Sequence, residues 1–210
     1  VASPGPLISA QAPAYSPESY NAACGDAEIV KTVHVEAMAD DGLGEAAWVE
    51  VMRAEGRCPR TVAIVANCDL AAPDVKQRLA ALAAQPGVKG VRWILDYDGP
   101  GDVATHVFTT SHDHGDLLRG ERAARFESGF ALLADHCLSF DLQCAPVQLP
   151  AFAALAKRHP AVKVAVCHLG KPRAIIDEPK LHAAWRQEMR ALAALPLWAR
   201  TLHVRHQLAH

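Results

Sequence analysis

Histidine and acidic side chains that could activate water stand at the ends of strand-like segments. His168 ends VKVAVCH (162–168), and His34 and Glu36 lie two residues apart within VKTVHVEA (30–37). A neutral histidine can ligate zinc or carry a proton, and a His–Glu pair on one strand face can polarise a carbonyl group or act as general base. We therefore predict these three residues as catalytic and His168 also as a metal ligand. The alternatives are a histidine bonded to neighbouring backbone and a partly buried ion pair.

Arg92 lies within the apolar run VKGVRWILD (88–96) and is a candidate substrate-binding residue. A buried arginine needs an anionic partner. It either clamps a substrate carboxylate through its planar fork or pairs with Asp69, Glu36 or Asp141. Asp141 and Gln143, in LSFDLQC (138–144), are further candidates for substrate contact, and their alternative is hydrogen bonding within the sheet.

The elements that must position these residues alternate along the chain. Strands are predicted at 30–37, 61–69, 88–96, 138–144 and 162–168, and helices at 45–55, 73–85, 121–136, 150–159 and 179–195. Alternation of this kind is typical of a parallel sheet. Each strand turns polar near its carboxyl end at alternating positions, among them His34, Asp141 and His168, which favours a barrel with these groups at one mouth. No glycine-rich phosphate turn supports a doubly wound sheet.

The domain limits follow from this pattern. We expect an extended, proline-rich N-terminal arm at 1–27, a barrel domain at 28–196 with a loop insertion at 97–120, and an irregular tail at 197–210.

Composition restricts the possible partners. Hydrophobic residues make up 50% of the 210 residues, charged residues 21%, and the formal net charge is −2. This composition predicts a soluble, cytoplasmic protein with a small-molecule substrate, without a nucleic-acid partner and without a membrane span. The six cysteines form no C-x-x-C pair, which favours reduced thiols.

Four motifs together resemble the amidohydrolase-related (amidohydrolase 2) family of metal-dependent TIM-barrel hydrolases, in its lactonase-like branch. They are HVEA (34–37), VRWIL (91–95), FALLADHCLSFDLQ (130–143) and HLGKP (168–172). The resemblance extends over about residues 28–196. It implies a (β/α)₈ barrel of which about strands 2–6 are present. It also implies a first-strand H-x-H pair and a last-strand aspartate, which this chain does not supply.

The resemblance also implies an activity. It indicates a hydrolase in which water attacks a lactone or a similar ester or amide carbonyl of a small carboxylated or sugar-derived substrate. The intact family fold is expected to use one divalent metal, zinc, or none. The alternative is a catalytically inactive fragment or a protein-interaction domain on a hydrolase-like scaffold. An oligomer that covers the open sheet edges is a further expectation.

Overall fold

A computed structural model describes residues 16–97, 115–172, 177–195 and 201–202. Its strands are β1 (Thr32–Val35), β2 (Thr61–Asn67), β3 (Val88–Ile94), β4 (Ser139–Gln143), β5 (Val164–Cys167) and β6 (Thr201–Leu202). Its helices are α1 (Pro17–Ala23), α2 (Gly42–Ala54), α3 (Val75–Ala83), α4 (Ala123–Asp135), α5 (Leu149–Arg158) and α6 (Pro179–Ala193). All five predicted strands and all five predicted helices are therefore present, and most of their ends differ from the prediction by a few residues.

The strands form one parallel sheet whose spatial order is the same as their order in the chain, β1 to β6. A helix follows each of the strands β1 to β5 before the next strand begins. This is the arrangement of consecutive β/α units in a barrel, whereas a doubly wound sheet reverses its order at a switch point. The predicted fold class, an incomplete barrel of the TIM type, is confirmed.

The core lies between the sheet and its helices. Phe126 and Phe130 of α4 pack with Phe140 of β4 and Phe152 of α5, with ring centroids 5.5–6.3 Å apart. All four side chains are at most 1% exposed. Burying each such ring contributes about 1.5–3 kcal/mol, so this aromatic cluster fixes α4 and α5 against β4.

Strand pairing defines which residues face the helices and which face the opposite, inner side of the sheet. Val91 pairs with Phe140 and Leu142 with Val166, and these apolar side chains belong to the core under the helices. The residues at the alternate positions of these strands face inward. Arg92 and Asp141, for example, pair with each other there. The inner face therefore carries polar side chains near the carboxyl ends of β2, β3 and β4, among them Asn67, Arg92 and Asp141.

Two terminal segments differ from the prediction. The arm predicted as extended contains α1, because Pro17 can occupy the first turn of a helix and the Ser16 hydroxyl caps the backbone N–H of Ser19. The tail predicted as irregular contains β6, which pairs with β5. Most of the 97–120 insertion, residues 98–114, lies outside the described residues. Among the helices that the structure describes, none is long and apolar enough to cross a membrane.

Candidate functional site

Arg92 lies at the centre of the inner face. On β3 it pairs in register with Asn67 of β2 on one side and with Asp141 of β4 on the other. Asn67 and Asp141 are buried, with exposed fractions of 8% and 2%. Because these strands are parallel, the three side chains lie at one level near the carboxyl ends, which is where TIM barrels carry their active sites.

Glu36 is the ionic partner of Arg92. The Nε of Arg92 donates to Glu36 Oε1 at 2.5 Å, and its Nη2 donates to the Glu36 backbone oxygen at 2.6 Å. The other carboxylate oxygen accepts from the backbone N–H of Met38 and from Asn67 Nδ2. Burial opposes the charge on Arg92, but attraction and hydrogen bonding to Glu36 outweigh it and raise the arginine's pKa above its ordinary value. Of the partners predicted for Arg92, the structure therefore selects Glu36, whereas Asp69 pairs with Arg122 at 2.6 Å.

Asp141 and Cys167 complete this group, which we call the inner-face cluster: Glu36, Asn67, Arg92, Asp141 and Cys167. The Cys167 thiol lies 3.9 Å from Asp141 Oδ2. Burial raises the pKa of Asp141 to about 6, although Arg92 and the thiol lower it. Burial and the neighbouring Asp141 raise the pKa of Cys167 to about 12, so this thiol stays protonated at neutral pH.

His34 does not join the cluster, which corrects the expectation that it shares one face with Glu36. A register shift between Thr32 and Val33 pairs His34 with Ile64, a residue of the core under the helices. His34 Nε2 lies 3.2 Å from Glu45 Oε1 of α2. It lines a groove of about 590 Å³ with residues such as Tyr20 and Trp48. Glu36 reaches Arg92 because β1 ends at Val35 and the chain turns.

His168 also differs from its predicted orientation. The alternation of polar residues predicted that His168 faces inward, but Val164 and Val166, at the same alternate positions of β5, lie in the core under the helices. The inward residues of β5 are Ala165, which pairs with Asp141, and Cys167. Cys167 was not predicted as a site residue, because the absence of a C-x-x-C pair and its apolar surroundings are typical of a structural thiol. His168 instead begins a turn at the carboxyl end of β5.

This turn is left-handed along four consecutive residues. The φ angles are 50° at His168, 58° at Leu169, 66° at Gly170 and 54° at Lys171. The Lys171 backbone N–H donates to the His168 carbonyl oxygen at 2.9 Å, and Trp185 of α6 donates its Nε1–H to the Leu169 carbonyl oxygen at 2.9 Å. Left-handed geometry costs non-glycine residues about 1–2 kcal/mol each, so the surrounding contacts must hold the turn in place.

The turn places Lys171 beside a largely buried carboxylate, Asp96, just beyond β3. Lys171 Nζ donates to Asp96 Oδ2 at 2.5 Å, and Gln143 Nε2 donates to the same oxygen at 3.3 Å. We call Asp96 and Lys171 the rim pair. The Asp96 side chain is 9% exposed and that of Lys171 is 24% exposed. Of the predicted substrate-binding residues, Arg92 and Asp141 thus lie in the inner-face cluster and Gln143 contacts the rim pair.

The donors in the described part of the chain do not by themselves fit a metal centre. Those residues contain no group of three or more histidine, cysteine, aspartate or glutamate side chains placed to hold a metal ion. Catalytic zinc normally has three protein ligands. The guanidinium of Arg92 already neutralises the Glu36 carboxylate. We therefore derive no chemical step through a metal.

Known proteins resemble this chain over most of its length. The sequence model of the family described as Amidohydrolase matches residues 6–207. The uncharacterised protein y4mH of Sinorhizobium fredii is 27% identical over 184 residues, which is 87% of this chain and 57% of that protein. The L-fucono-1,5-lactonase of Burkholderia ambifaria is 30% identical over 135 residues, which is 64% of this chain and 39% of that enzyme. This chain therefore spans about half the length of these curated relatives.

Solved structures of amidohydrolases share the fold of this chain. A crystal structure of an amidohydrolase from Burkholderia multivorans with bound HEPES matches with a TM-score of 0.67 and 27% identity, covering 93% of this chain and 63% of that one. Another crystal structure of an amidohydrolase from this organism, with bound zinc, matches with a TM-score of 0.64 and 27% identity, covering 87% of this chain and 56% of that one.

Proposed function

Because this chain belongs to the amidohydrolase family, we propose that the protein is a hydrolase in which water attacks the carbonyl carbon of a lactone or a similar ester or amide. The lactonase of Burkholderia ambifaria supports a lactone among these substrates. The alternative, a non-catalytic interaction domain, agrees less well with a match to a hydrolase family over residues 6–207.

The observation that carries this proposal is the inner-face cluster at the carboxyl ends of the strands. A guanidinium, two carboxyl groups, an amide and a thiol converge there from five strands or strand ends. Burying two carboxyl groups and an arginine is costly unless they are paired. Charged groups fixed in a place with little water also stabilise charge that develops in a transition state.

Each residue receives a role that follows from its contacts. Arg92, fixed by Glu36, is suited to stabilise the negative charge that forms on the carbonyl oxygen of the substrate. Glu36 is then a positioning residue that acts through Arg92. Asp141 and Gln143 contact the substrate in this proposal. Asp141, with a pKa of about 6, can also exchange a proton with the substrate near neutral pH.

His168, which lies in the turn at the carboxyl edge of the sheet and not on the inner face, is the proposed acceptor of the proton from a water at that edge. The water oxygen bonds to the carbonyl carbon, and the ring C–O bond breaks. The proton passes through His168 to the leaving alkoxide, and the product is a hydroxy acid. His34 has no part in this step, because it faces the helices and contacts Glu45.

The test is lactone hydrolysis by the purified chain, followed as acid release in a pH-stat, with and without added Zn²⁺. We expect His168→Asn to lower kcat/KM at least about a hundredfold, since general acid–base catalysis contributes about 10²–10⁴. His136→Asn is the matched control, because His136 follows the C-terminal end of α4, at the opposite edge of the sheet. Equal rates for the unmodified protein and His168→Asn would refute the role of His168.

A further inference from the structure

Cys167 is a buried thiol on the polar side of the sheet. It is 3% exposed, as is Cys68 just after β2, but only Cys68 belongs to the apolar core under the helices. The Cys167 thiol instead lies 3.9 Å from Asp141 Oδ2. A free cysteine that only fills space packs like a small apolar side chain. The surroundings of Cys167 therefore indicate a polar role for its thiol.

The register of the sheet brings this thiol to Asp141. Asp141 of β4 pairs with Ala165 of β5, and Cys167 lies two residues further along the same face of β5. The thiol therefore approaches the carboxyl group from the carboxyl end of the strands. In the described part of the chain, it is the single hydrogen-bond donor to Asp141.

The two buried carboxyl groups of the inner-face cluster differ in their donors. The Glu36 carboxylate accepts from three groups, which are Arg92 Nε, Asn67 Nδ2 and the Met38 backbone N–H. The donor that the structure gives to Asp141 is a thiol, which is a weak one. Several donors hold a carboxylate in its charged form, whereas a buried carboxyl group without a donor tends to take up a proton. Asp141, with one weak donor, lies between these two cases.

The groups around Asp141 act on its proton in opposite directions. Burial raises the pKa of Asp141 to about 6, Arg92 of β3 and the thiol of β5 lower it, and Glu36 beyond β1 raises it. Burial also raises the pKa of Cys167 to about 12, so the thiol keeps its proton near neutral pH and remains a donor. Loss of the thiol would therefore remove a contact that favours the ionised form of Asp141.

We infer that Cys167 is a positioning residue, whose thiol holds Asp141 Oδ2, favours the ionised carboxylate and leaves Oδ1 for the substrate. This inference rests on the proposed function and adds a residue to its site. The thiol is not a nucleophile in this arrangement, because the reactive form of cysteine is the thiolate. Cys167 acts on the substrate only through Asp141.

The first experiment titrates Asp141 directly and does not depend on activity. Carbon-13 NMR of protein labelled at its aspartate carboxyl groups follows the Asp141 resonance, which is assigned by its loss in Asp141→Asn. We expect Cys167→Ala to raise the titration midpoint by at least about 0.5 pH unit, because the carboxylate loses a weak donor. Cys167→Ser keeps a donor, so its midpoint should lie below that of Cys167→Ala. A midpoint for Cys167→Ala within about 0.2 pH unit of the unmodified protein overturns the inference.

Cys68→Ala is the matched control. It removes the same sulfur atom from a cysteine of the same burial, but on the helix side of the sheet. The Asp141 midpoint in this variant should equal that of the unmodified protein. A shift as large as that in Cys167→Ala would come from loosened packing and overturn the inference. If Cys167→Ala does not fold, Cys167→Val takes its place, since valine fills the space without supplying a donor.

The second experiment measures kcat/KM for a lactone across pH and separates this inference from the proposed function. The pH profile of kcat/KM reports groups of the free protein. We expect the limb of the profile that Asp141→Asn abolishes to move to higher pH in Cys167→Ala by the same amount as the NMR midpoint. Activity with an unmoved limb overturns the inference and leaves the proposed function intact. If the unmodified protein hydrolyses no lactone, the proposed function fails and the NMR titration decides the inference alone.

Discussion

Glu36 and Asp141 are both buried near Arg92, but they interact with its guanidinium in different ways. Glu36 accepts two hydrogen bonds from the guanidinium, one through its carboxylate and one through its backbone oxygen. For Asp141, the effect of burial exceeds the attraction of Arg92, and its pKa rises to about 6. One carboxylate therefore holds the cation, whereas the other can gain or lose a proton near neutral pH.

The raised pKa of Asp141 predicts a pH dependence of stability. Folding favours the protonated form, so this contribution is complete below the unfolded pKa of about 4 and is lost as the pH rises through about 6. We expect the unmodified protein to lose about 2–3 kcal/mol of unfolding free energy relative to Asp141→Asn between pH 4 and pH 7. Urea denaturation of both proteins across this range measures the difference. A difference that does not change with pH would contradict the prediction.

The Glu36–Arg92 pair predicts a large loss of stability when one partner is removed. Arg92 is 12% exposed and Glu36 is fully buried at the side chain, so Glu36→Leu leaves a buried guanidinium without its counter-ion. We expect this variant to lose about 3–5 kcal/mol of unfolding free energy, and the double variant with Arg92→Met to recover much of it.

The control for this measurement is an exposed ion pair. Asp74 and Arg78 are each 53% exposed, and removal of Asp74 should cost far less stability than removal of Glu36, because solvent screens an exposed ion pair. Urea midpoints of these three variants and of the unmodified protein distinguish the buried pair from the exposed one. If Glu36→Leu costs no more than Asp74→Leu, the inner-face cluster is not a desolvated ionic centre.

At the level of elements, the left-handed turn after β5 determines where His168 and Lys171 lie. His168 and Lys171 occupy its first and last positions, and α6 holds it through the bond from Trp185 to the Leu169 carbonyl. Trp185 is itself stacked on His182, with ring centroids 5.1 Å apart. One helix outside the sheet therefore fixes two residues of the proposed site.

Substitution of Gly170 tests whether packing against α6 constrains this turn. A β-carbon at Gly170 would lie 3.1 Å from Met189 Sδ and 3.3 Å from Trp185 Nε1, at a φ of +66°. Gly56, with a φ of +72°, has nothing within 4 Å of the same position. We expect Gly56→Ala to cost about 1 kcal/mol of unfolding free energy and Gly170→Ala about 2 kcal/mol or more, because only the latter also displaces α6. Equal losses in urea denaturation would show that α6 does not constrain the turn.

On the scale of the whole molecule, the sequence predicted the architecture well because each helix and strand has a recognisable pattern of apolar residues. The apolar runs of β2, β3 and β4 are typical of strands covered on both faces. The apolar stripe of α4, with Phe126, Phe130 and Leu133, predicted its buried face. Local propensity and periodicity were sufficient to find these elements.

The sequence could not predict the orientation of individual side chains at the strand ends. After a register shift between β1 and β2, His34 pairs with Ile64 on the helix side of the sheet, and the end of β5 at Cys167 brings that thiol, not His168, to the inner face. The choice of Glu36 as partner of Arg92 links residues 56 positions apart. Such features depend on tertiary pairing, which alternation along a single strand does not encode.

The spatial order of the strands also bears on how the chain folds. Among the six described strands, each pairs with its neighbours in sequence, so each new pairing closes a loop of one β/α unit. Loop-closure entropy grows slowly with length, and nearby contacts form faster than distant ones. The sheet can therefore grow one unit at a time as the chain leaves the ribosome, with β1 and β2 able to pair before β5 has been synthesised.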